Sequence, residues 1–375
     1  MHYDVIVIGA GSMGMAAGYF LAKSGKKTLL LDSFSPPHNK GSHHGETRII
    51  RHAYGEGGEY VPLALQAQKL WNDLEEMTGI SLFSATGVLN VGHEKTDFIQ
   101  NIISSSKTYS LPLETLASPE VNKRWPGITI PAKYIGCFEP ASGILKCESC
   151  IRAYRTLAEQ HGATLLTDSK VNELSVHDQR VTVKTEAQTF SSDALVISAG
   201  AWSRDLLSML GLNLPLNPVR KTFAWFDAGE NLYNHTNFPA FTFATSQGFY
   251  YGFPSIDGSG LKVGRHDGGQ SIDPDKSIPE FGQLDEDRTD LRNFLNHYMP
   301  SVKKLKYGKT CMYTLTPDED FIIDLHPVYS NVAIAAGFSG HGFKFSSAVG
   351  QILSELISSG KTEQNIAPFS LDRFN

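Results

Sequence analysis

Residues 1–32 read MHYDVIVIGAGSMGMAAGYFLAKSGKKTLLLD, and this stretch decides the fold. Residues 5–8 are a short apolar run of mostly β-branched side chains, which predicts a strand buried on both faces of a parallel sheet. Residues 28–31 predict a second strand. The segment between them predicts a helix that stops at Gly25 and whose apolar face carries Ala16, Ala17, Phe20 and Leu21. Strand, helix and strand in this order predict an α/β protein.

Three glycines follow the first predicted strand at G-x-G-x-x-G spacing. Gly9 permits the tight turn, Gly11 lets the backbone approach a pyrophosphate, and Gly14 lets the helix pack on the strand. The unpaired N–H groups at the start of the helix then face the phosphates. Asp32 ends the second strand, where a carboxylate can accept hydrogen bonds from ribose hydroxyls. This context predicts a dinucleotide site and leaves FAD and NAD open.

The composition is that of an ordinary globular protein of 375 residues, 41% hydrophobic and 19% charged, long enough for two or three domains. A net charge of −6 without a long Lys/Arg block argues against a nucleic-acid partner. We see no apolar run of about eighteen residues and no basic leader before the first strand, so we expect a cytoplasmic protein without a membrane span. Four cysteines favour a reduced protein over a disulfide scaffold: Cys137, Cys147, Cys150 and Cys311.

An irregular polar segment follows Asp32. Residues 33–60 contain prolines, glycines, histidines and two arginines, Arg48 and Arg51, and so predict a long functional loop. Surface ion pairs are the other common role of such arginines. A helix is expected at about residues 61–78, with apolar positions at Leu63, Leu65, Leu70, Trp71 and Leu74.

The rest of the chain alternates between two kinds of pattern. Residues 81–147 predict short strands and one helix, and residues 218–318 predict a large antiparallel sheet. Residues 331–360 predict a last strand, a glycine-rich turn and a helix. We therefore predict two discontinuous domains, one at 1–82, 149–216 and 319–375 and the other at 83–148 and 217–318.

Six stretches carry a resemblance that is more specific than the glycine spacing. They read VIVIGAGSMGMAAGY, GSHHGETRIIRHAYGEGGEYVPL, GFYYGFP, GLKVGRH, KTCMYTLTPDEDFIID and GFSGHGFKFSSAVG. Together they resemble the monomeric sarcosine oxidase family, which also contains N-methyltryptophan oxidase. The resemblance covers essentially the whole chain. It implies a flavoprotein oxidase with a Rossmann-like FAD-binding domain and a second α+β substrate domain built on a large, mostly antiparallel sheet.

The same resemblance implies how the cofactor is attached. Cys311, in KTCMYT, matches the family's cysteine that carries FAD through a thioether to the flavin ring. A cysteine near a sheet end is by itself more often a buried small hydrophobe, so the expectation of covalent FAD rests on the surrounding motif.

Arg51 and Lys344 match the family's carboxylate-binding pair, which would place the N-methyl carbon of an amino acid over the flavin. Lys262 matches the lysine that promotes oxygen reduction by stabilising negative charge, although a lysine in a strand often faces solvent. His266 would help the bound amine to lose its proton, and Tyr251 would tune the pocket.

The motif and the resemblance together imply three sets of site residues. The catalytic residues are Lys262, Arg48, His266 and Tyr251. The substrate-binding residues are Arg51, Lys344, Tyr251, His266 and Thr242. The cofactor-binding residues are Gly9, Gly11, Gly14, Asp32, Ser42, His43, His44, Arg48, Val171, Gly200, Trp202, Cys311, Met312, Gly340, His341, Gly342 and Lys344.

The chain departs from the family pattern at two positions. Thr242 stands where the sarcosine oxidases have a methionine near the substrate, and Arg265 replaces a tyrosine beside His266. The first change enlarges the pocket and leaves the size of the substrate open. Cys147 and Cys150 form a C-x-x-C pair without a second pair, so we predict no metal site.

We therefore expect a monomeric FAD-dependent amine oxidase that acts on sarcosine and related small secondary amino acids. With sarcosine, dioxygen and water as substrates, it would form glycine, formaldehyde and hydrogen peroxide. N-methyl-L-tryptophan oxidase is an alternative within the family. An FAD dehydrogenase that does not use dioxygen is a second alternative, against which Lys262 argues. A dinucleotide-binding sensor without enzymatic activity would leave Cys311, Arg51 and Lys344 unexplained.

Overall fold

The computed structural model describes residues 1–374, which form two large sheets, one small sheet and the helices that cover them. The strands are β1 (His2–Ile8), β2 (Thr28–Leu31), β3 (Thr47–Ile50), β4 (Phe83–Ser84), β5 (Val88–His93), β6 (Glu114–Ala117), β7 (Tyr134–Glu139), β8 (Gly143–Lys146), β9 (Thr164–Leu166), β10 (Val171–His177), β11 (Arg180–Thr185), β12 (Thr189–Ile197), β13 (Asn217–Phe226), β14 (Ala240–Thr245), β15 (Gly248–Phe253), β16 (Leu261–Arg265), β17 (Gln270–Ser271), β18 (Leu305–Leu315), β19 (Ile322–Leu325) and β20 (Val332–Ala336). The helices are α1 (Ser12–Lys23), α2 (Tyr60–Thr78), α3 (Asp97–Thr108), α4 (Ser118–Arg124), α5 (Cys147–Gln160), α6 (Ser203–Ser208), α7 (Glu230–Tyr233), α8 (Glu286–Tyr298) and α9 (Ser346–Ser359).

The first sheet is built around the two strands that residues 1–32 predict. β1 lies between β12 and β2, and β9 and β20 extend this parallel core on its two sides. The hairpin of β10 and β11 adds antiparallel strands next to β12. Val5 and Val7 pack in one core with α1, α2, α5 and α9, whereas Ile6 and Ile8 pack in a second core on the other face. The predicted α/β pattern is confirmed.

The second sheet has the strand order β17, β13, β16, β15, β14, β5, β7 and β6, and β18 also pairs with β13. All of these neighbours are antiparallel except β14 and β5, so the predicted mostly antiparallel sheet is confirmed. α8 covers one face, where Phe294 packs with Phe243 and Tyr250. The small sheet of β3, β8 and β4 contains the strand that leads directly to Arg51.

The structure corrects the secondary-structure predictions at several places. Residues 33–60 are not one continuous loop, because Thr47–Ile50 forms β3 and Tyr60 begins α2. The sequence analysis missed α4, which is only seven residues long. It also missed α8, which buries a narrow stripe formed by Leu291, Phe294, Leu295 and Tyr298. Leu65 was expected on the apolar face of α2 but is 40% exposed, because α2 buries the 63, 67, 71 and 74 positions.

The two large sheets take their strands from alternating parts of the chain. The first sheet uses residues 2–31, 164–197 and 322–336, and the second uses residues 88–139 and 217–315. The exact domain limits given above stay a prediction. Among residues 1–374, no helix is long and apolar enough to cross a bilayer.

A buried ion pair fixes α8 to the second sheet. The guanidinium of Arg220 donates to both carboxylate oxygens of Asp287, at 2.8 and 2.7 Å, and the two side chains are 5% and 2% exposed. We expect Asp287→Asn to lower the free energy of unfolding by about 3–5 kcal/mol, because it leaves the buried charge of Arg220 without its partner. The midpoint of urea unfolding measures this loss.

The exposed pair of Arg124 and Glu114 provides the matched control. Its two side chains are 42% and 44% exposed, so Glu114→Gln is expected to change the free energy of unfolding by less than about 1 kcal/mol. Equal losses for the two variants would contradict the stabilising role of the buried pair.

Candidate active site

A large cavity lies at the carboxyl ends of β1, β2 and β12. Its volume is about 380 Å³, and its lining includes Ile8, Leu31 and Ser198, which end or directly follow these strands. Open α/β sheets bind their ligands at this edge. Gly9 and Gly11 also line the cavity, so the glycine turn and the cavity coincide.

The glycine turn fits a dinucleotide. A Cβ on Gly14 would lie 1.8 Å from the carbonyl oxygen of Gly9, so only glycine lets α1 start this close to β1. A Cβ on Gly11 would meet only the His43 ring, at 3.2 Å, which leaves the Gly11 backbone open toward the cavity. The first helical N–H groups therefore lie where a pyrophosphate can reach them.

Asp32 fixes the rim of this cavity. Its Oδ2 accepts the N–H of Ala10 at 2.8 Å, and its Oδ1 accepts the N–H of Phe34 at 2.9 Å. The Nε2 atom of His38 lies 3.4 Å from the same Oδ1. Each carboxylate oxygen keeps a lone pair for a further donor, which suits a ribose hydroxyl.

The structure places six further predicted cofactor residues in the wall of the same cavity: Ser42, His43, Val171, Gly200, Trp202 and Met312. Burial lowers the pKa of His43 to about 3, so its imidazole is neutral. The sequence analysis missed Lys170 and Asp275. Asp275 accepts hydrogen bonds from Lys170 and Trp202, both at 2.9 Å, and so brings a loop of the second sheet to the cavity. No local sequence pattern predicts these contacts, because they join distant parts of the chain.

A smaller cavity of about 60 Å³ lies between the second sheet and the turn that precedes α9. Eight of the predicted residues line it: Arg48, Arg51, Thr242, Tyr251, His266, Gly340, His341 and Lys344. Six residues of its lining were missed: Ile49, Glu56, Phe249, Phe253, Tyr313 and Phe343. The structure therefore gathers all five predicted substrate-binding residues around one space.

Arg51 is paired on one side and free on the other. Its Nη2 donates to both oxygens of Glu56, at 2.5 and 2.6 Å, whereas its Nη1 is buried and has no partner among residues 1–374. Burial opposes the charge of Glu56, but the charges of Arg51 and Lys344 hold the pKa of this carboxyl at about 2. Glu56 follows Arg51 by only five residues, but this spacing alone does not indicate that the two side chains pair.

Lys344 approaches the same cavity from the glycine-rich turn. Its Nζ donates to the hydroxyl of Tyr54 at 2.9 Å and to the carbonyl of His341 at 2.6 Å. Burial and the nearby charge of Arg51 lower the pKa of Lys344 to about 7. An anion beside it would reverse this shift, because opposite charge favours the ammonium form.

The two histidines of the cavity are neutral at neutral pH. Burial lowers the pKa of His266 to about 4 and that of His341 to about 3. Burial also raises the pKa of Tyr251 to about 12, so its hydroxyl keeps its proton. These groups can donate or accept hydrogen bonds, and the positive charge of the site comes from its lysines and arginines.

Lys262 lies behind the small cavity and is only 2% exposed. Its Nζ donates to the carbonyl of Gly45 at 2.6 Å and to the carbonyl and hydroxyl of Thr47 at 3.1 and 3.2 Å. The rings of Phe223 and Phe253 each lie 4.6 Å from it. Burial and the charge of Arg48 lower its pKa to about 7. The structure thus rejects a solvent-facing position for this lysine.

Arg48, His44 and Cys311 lie around the same region. Arg48 lines the small cavity and donates to the carbonyl of Ser42 at 2.7 Å, so it reaches toward the larger one. The Nε2 atom of His44 is buried and has no partner among residues 1–374. Cys311 is buried on β18, and burial raises the pKa of its thiol while Arg48 and other cations lower it.

Five predicted residues line neither cavity: Gly14, His44, Lys262, Cys311 and Gly342. Gly14 acts through the packing of α1, as shown above. The other four lie close to lining residues. Cys311 directly precedes Met312, which lines the larger cavity, and Lys262 contacts the ring of Phe253, which lines the smaller one.

A fold of this kind, with a glycine turn at the end of β1 and a cationic cavity beneath a second sheet, defines a class of protein. The family model described as FAD dependent oxidoreductase matches residues 4–356, and the chain belongs to this family. The solved structure of L-proline dehydrogenase from P. horikoshii has the same fold, with a TM-score of 0.87, 22% identity and 99% and 97% of the two chains covered.

Particular relatives narrow the class. The chain is 54% identical to the monomeric sarcosine oxidase of Bacillus sp. (strain B-0618), over 99% of this chain and 96% of that protein. It is 43% identical to the N-methyl-L-tryptophan oxidase of Yersinia pestis (strain Pestoides F), over the full length of both. The predicted family is confirmed, and the chain is an FAD-dependent oxidoreductase of the sarcosine oxidase type.

Proposed function

We propose that the protein oxidises sarcosine, with dioxygen and water, to glycine, formaldehyde and hydrogen peroxide. The observation that carries the proposal is the buried Nη1 of Arg51, which has no partner among residues 1–374 and borders the same small cavity as Lys344. A buried, charged donor without an acceptor is unfavourable unless a ligand supplies the acceptor. The identity of 54% to a protein named for sarcosine supports the same substrate.

The substrate carboxylate would bind between Nη1 of Arg51 and Nζ of Lys344. Glu56 already occupies Nη2 of Arg51, so the free edge of the guanidinium is the one that remains for the ligand. Holding the carboxylate at two donors fixes the orientation of the amine and the methyl group, which is the entropic part of catalysis.

The amine must lose its proton before it is oxidised. His266 lines the cavity and is neutral, so it can accept a hydrogen bond from the amine but is a weak base. The cations Arg48, Arg51 and Lys344 disfavour a further positive charge in the same cavity and lower the pKa of the bound amine. Tyr251 keeps its proton and would tune the pocket as a hydrogen-bond donor.

The residues of the larger cavity fit FAD. Gly9, Gly11 and Asp32 would hold the dinucleotide. The buried Nε2 of His44, which has no partner within residues 1–374, would offer a further polar contact. FAD, when bound, supplies a two-electron acceptor that dioxygen can reoxidise. Lys262 would stabilise the negative charge that dioxygen acquires, since its ammonium is buried and fixed.

The size of the small cavity favours sarcosine over N-methyl-L-tryptophan. About 60 Å³ is far below the roughly 300 Å³ at the lower end of sites for drug-sized ligands. The hydroxyl of Thr242 donates a hydrogen bond to Oδ1 of Asn90 at 2.8 Å, so this donor has an acceptor without the substrate. The rings of Phe249, Phe253 and Phe343 enclose the remaining space.

The test mixes the purified holoenzyme with sarcosine, first without oxygen and then in air. We expect the flavin absorbance to bleach and then return, with equal amounts of formaldehyde and hydrogen peroxide. We also expect kcat/KM for sarcosine to exceed that for N-methyl-L-tryptophan at least about tenfold. Failure to bleach would overturn sarcosine as the substrate, and slow return of colour in air would favour a dehydrogenase.

We further propose that FAD is attached covalently through Cys311. The attachment would join the sulfur to a carbon of the flavin and remove one hydrogen from each, and dioxygen would take up both hydrogens as hydrogen peroxide. Burial raises the pKa of the Cys311 thiol, and Arg48 and Lys262 support this role because each cation opposes that rise and so favours the reactive thiolate form.

We expect the flavin of the wild-type protein to precipitate with the protein in acid, and the flavin of Cys311→Ser to stay in the supernatant, because a hydroxyl is a far weaker nucleophile than a thiolate. The absorbance of both fractions measures the outcome. Cys147→Ser is the matched control, since Cys147 is also buried and lies 3.9 Å from Arg48. Its flavin should remain in the pellet. Flavin that is released from the wild type, or retained by Cys311→Ser, would contradict the attachment.

We also propose that the protein acts as a monomer on its small-molecule substrate. The support is the name of the sarcosine oxidases that share 54% of its residues. Light scattering of the purified holoenzyme should give a mass near 41.1 kDa plus the cofactor.

A further inference from the structure

A buried chain of hydrogen bonds runs from the wall of the small cavity into the second sheet. Thr242 donates through Oγ1 to Oδ1 of Asn90 at 2.8 Å, and Asn90 donates through Nδ2 to Oε1 of Glu139 at 3.0 Å. The three side chains meet because β14 pairs with β5 and β5 pairs with β7. None of them is more than 3% exposed. Asn90 and Glu139 have no part in the reaction as described so far.

The other end of this chain holds the backbone that follows Arg51. The Oε2 atom of Glu139 accepts the N–H groups of His52 and Ala53, both at 2.9 Å, and the hydroxyl of Ser142 at 3.0 Å. Two consecutive N–H groups that point at one oxygen fix the direction of the chain directly after Arg51. The guanidinium therefore extends from a backbone that the second sheet holds in place.

Glu139 is an unusual residue for a purely structural position. It forms no ion pair with a lysine, arginine or histidine in the part of the chain that the structure describes, and a buried carboxylate without a cation is unfavourable. Its field nevertheless reaches the site. Burial lowers the pKa of Arg51, whereas Glu56 and Glu139 raise it above its ordinary value.

We propose that Glu139 is a positioning residue for Arg51, and that Asn90 and Thr242 tie this residue to the wall of the substrate cavity. The inference rests on the proposed role of Arg51 in binding the substrate carboxylate. Glu139 then determines where the free Nη1 lies relative to Lys344. The same chain of hydrogen bonds couples the wall at Thr242 to the group that binds the carboxylate.

Three substitutions separate the geometry of Glu139 from its charge. In Glu139→Gln the new amide oxygen can still accept the N–H groups of His52 and Ala53. Its NH₂ group can donate to Asn90 once the Asn90 amide turns over, and Asn90 can then donate to the Thr242 hydroxyl. The two bonds between side chains are then retained with reversed direction, and the bonds from the N–H groups of His52 and Ala53 keep theirs. Glu139→Ala removes all of them, and Glu139→Asp draws the carboxylate back by one methylene.

The experiment titrates each holoenzyme with methoxyacetate, which resembles sarcosine but has an ether oxygen in place of the amine, and follows the flavin absorbance. It also measures kcat and KM for sarcosine. We expect Glu139→Ala to raise both the methoxyacetate Kd and the sarcosine KM about tenfold, with kcat within about threefold, because the carboxylate does not change during the reaction. Glu139→Gln should restore both values to within about threefold of the wild type.

Glu75→Ala is the matched control for the loss of a backbone cap. The Oε2 atom of Glu75 also accepts two consecutive N–H groups, those of Leu82 and Phe83, at 2.6 and 2.9 Å, and Glu75 lines neither cavity. We expect it to lower the thermal midpoint without changing the methoxyacetate Kd. If Glu139→Ala does not fold, Glu139→Asp takes its place in the titration with the same expected rise in Kd.

An unchanged Kd in Glu139→Ala, or in Glu139→Asp where the alanine variant does not fold, would overturn the positioning role, as would an equal rise of the Kd in Glu75→Ala. Failure of the proposed function has a different signature. In that case the wild-type holoenzyme itself would neither bind methoxyacetate nor oxidise sarcosine, and the variants would not be needed to show it.

Discussion

Lys262→Met is expected to slow the reaction of the reduced enzyme with dioxygen about 10²–10³-fold, the usual loss when a preorganised stabiliser of developing charge is removed. Lys262 is buried, its ammonium is held by the carbonyls of Gly45 and Thr47, and it pairs with no carboxylate among residues 1–374. Its charge is therefore available to the oxygen that receives the electrons. Stopped-flow mixing of the sarcosine-reduced enzyme with aerated buffer measures the rate.

The same variant separates oxygen chemistry from amine chemistry. Bleaching by sarcosine without oxygen should stay within about threefold of the wild type, because Lys262 does not line the substrate cavity. Lys306→Met is the control, since the Lys306 ammonium also donates to two backbone carbonyls, at 3.1 and 2.8 Å, but is exposed. Equal slowing of both half-reactions would show that Lys262 acts only through the fold.

Arg51→Met is expected to raise the KM for sarcosine about 10²–10³-fold, because truncating one partner of a buried, hydrogen-bonded charge pair removes about 3–4 kcal/mol of binding free energy. The substitution removes both the free Nη1 and the partner of Glu56. Lys344 then faces Glu56 alone in the cavity, and the two can pair with each other in place of the substrate. Steady-state kinetics over a wide range of sarcosine concentrations measures the effect.

Arg51→Lys should recover part of the loss, since it restores the charge but not the planar fork that binds two partners at once. Arg265→Met is the control outside the cavity. Arg265 pairs with Asp267 and Asp290 and is 36% exposed, so its removal should leave the KM within about threefold. A KM for Arg51→Met within threefold of the wild type would contradict the carboxylate role of Arg51.

The first sheet and the cofactor turn were predictable because their causes are local. Residues 1–32 contain the apolar run of the strand, the three glycines of the turn and the carboxylate at the end of the next strand, all close together in sequence. The structure has each of these features where the pattern predicts it. The motif around Cys311 and the pair of Arg51 and Lys344 were found through the family resemblance. Spacing alone does not distinguish these residues from a buried thiol and two surface cations.

The polar groups beneath the second sheet were not predictable from pattern. Strand alternation places Lys262 opposite Leu261 and Val263 and so toward solvent, but β16 is buried on both faces. One face packs against the core with α8 and the other covers the site. The roles of Asn90 and Glu139 were equally unpredictable, because the hydrogen-bond partners of each lie on other strands.

The missed helix α8 has a related cause. Only one narrow stripe of α8 is apolar, and a helix of this kind acquires its stability from the sheet it covers. Glu56 was missed because its importance depends on where Arg51 points, and this direction is set by distant residues.

Because each large sheet takes its strands from separate parts of the chain, neither sheet can be completed early in translation. β1 pairs with β12, β12 pairs with β20, and α9 packs so closely on α1 that a Cβ on Gly350 would lie 2.5 Å from the Cβ of Ala16. A ribosome therefore releases the glycine turn more than three hundred residues before its last packing partner, at residue 350, has been synthesised. The nascent N-terminal unit carries unpaired strand edges and apolar surface throughout this interval. The larger cavity is accordingly complete only after Met312 has been synthesised, because this residue is part of its wall.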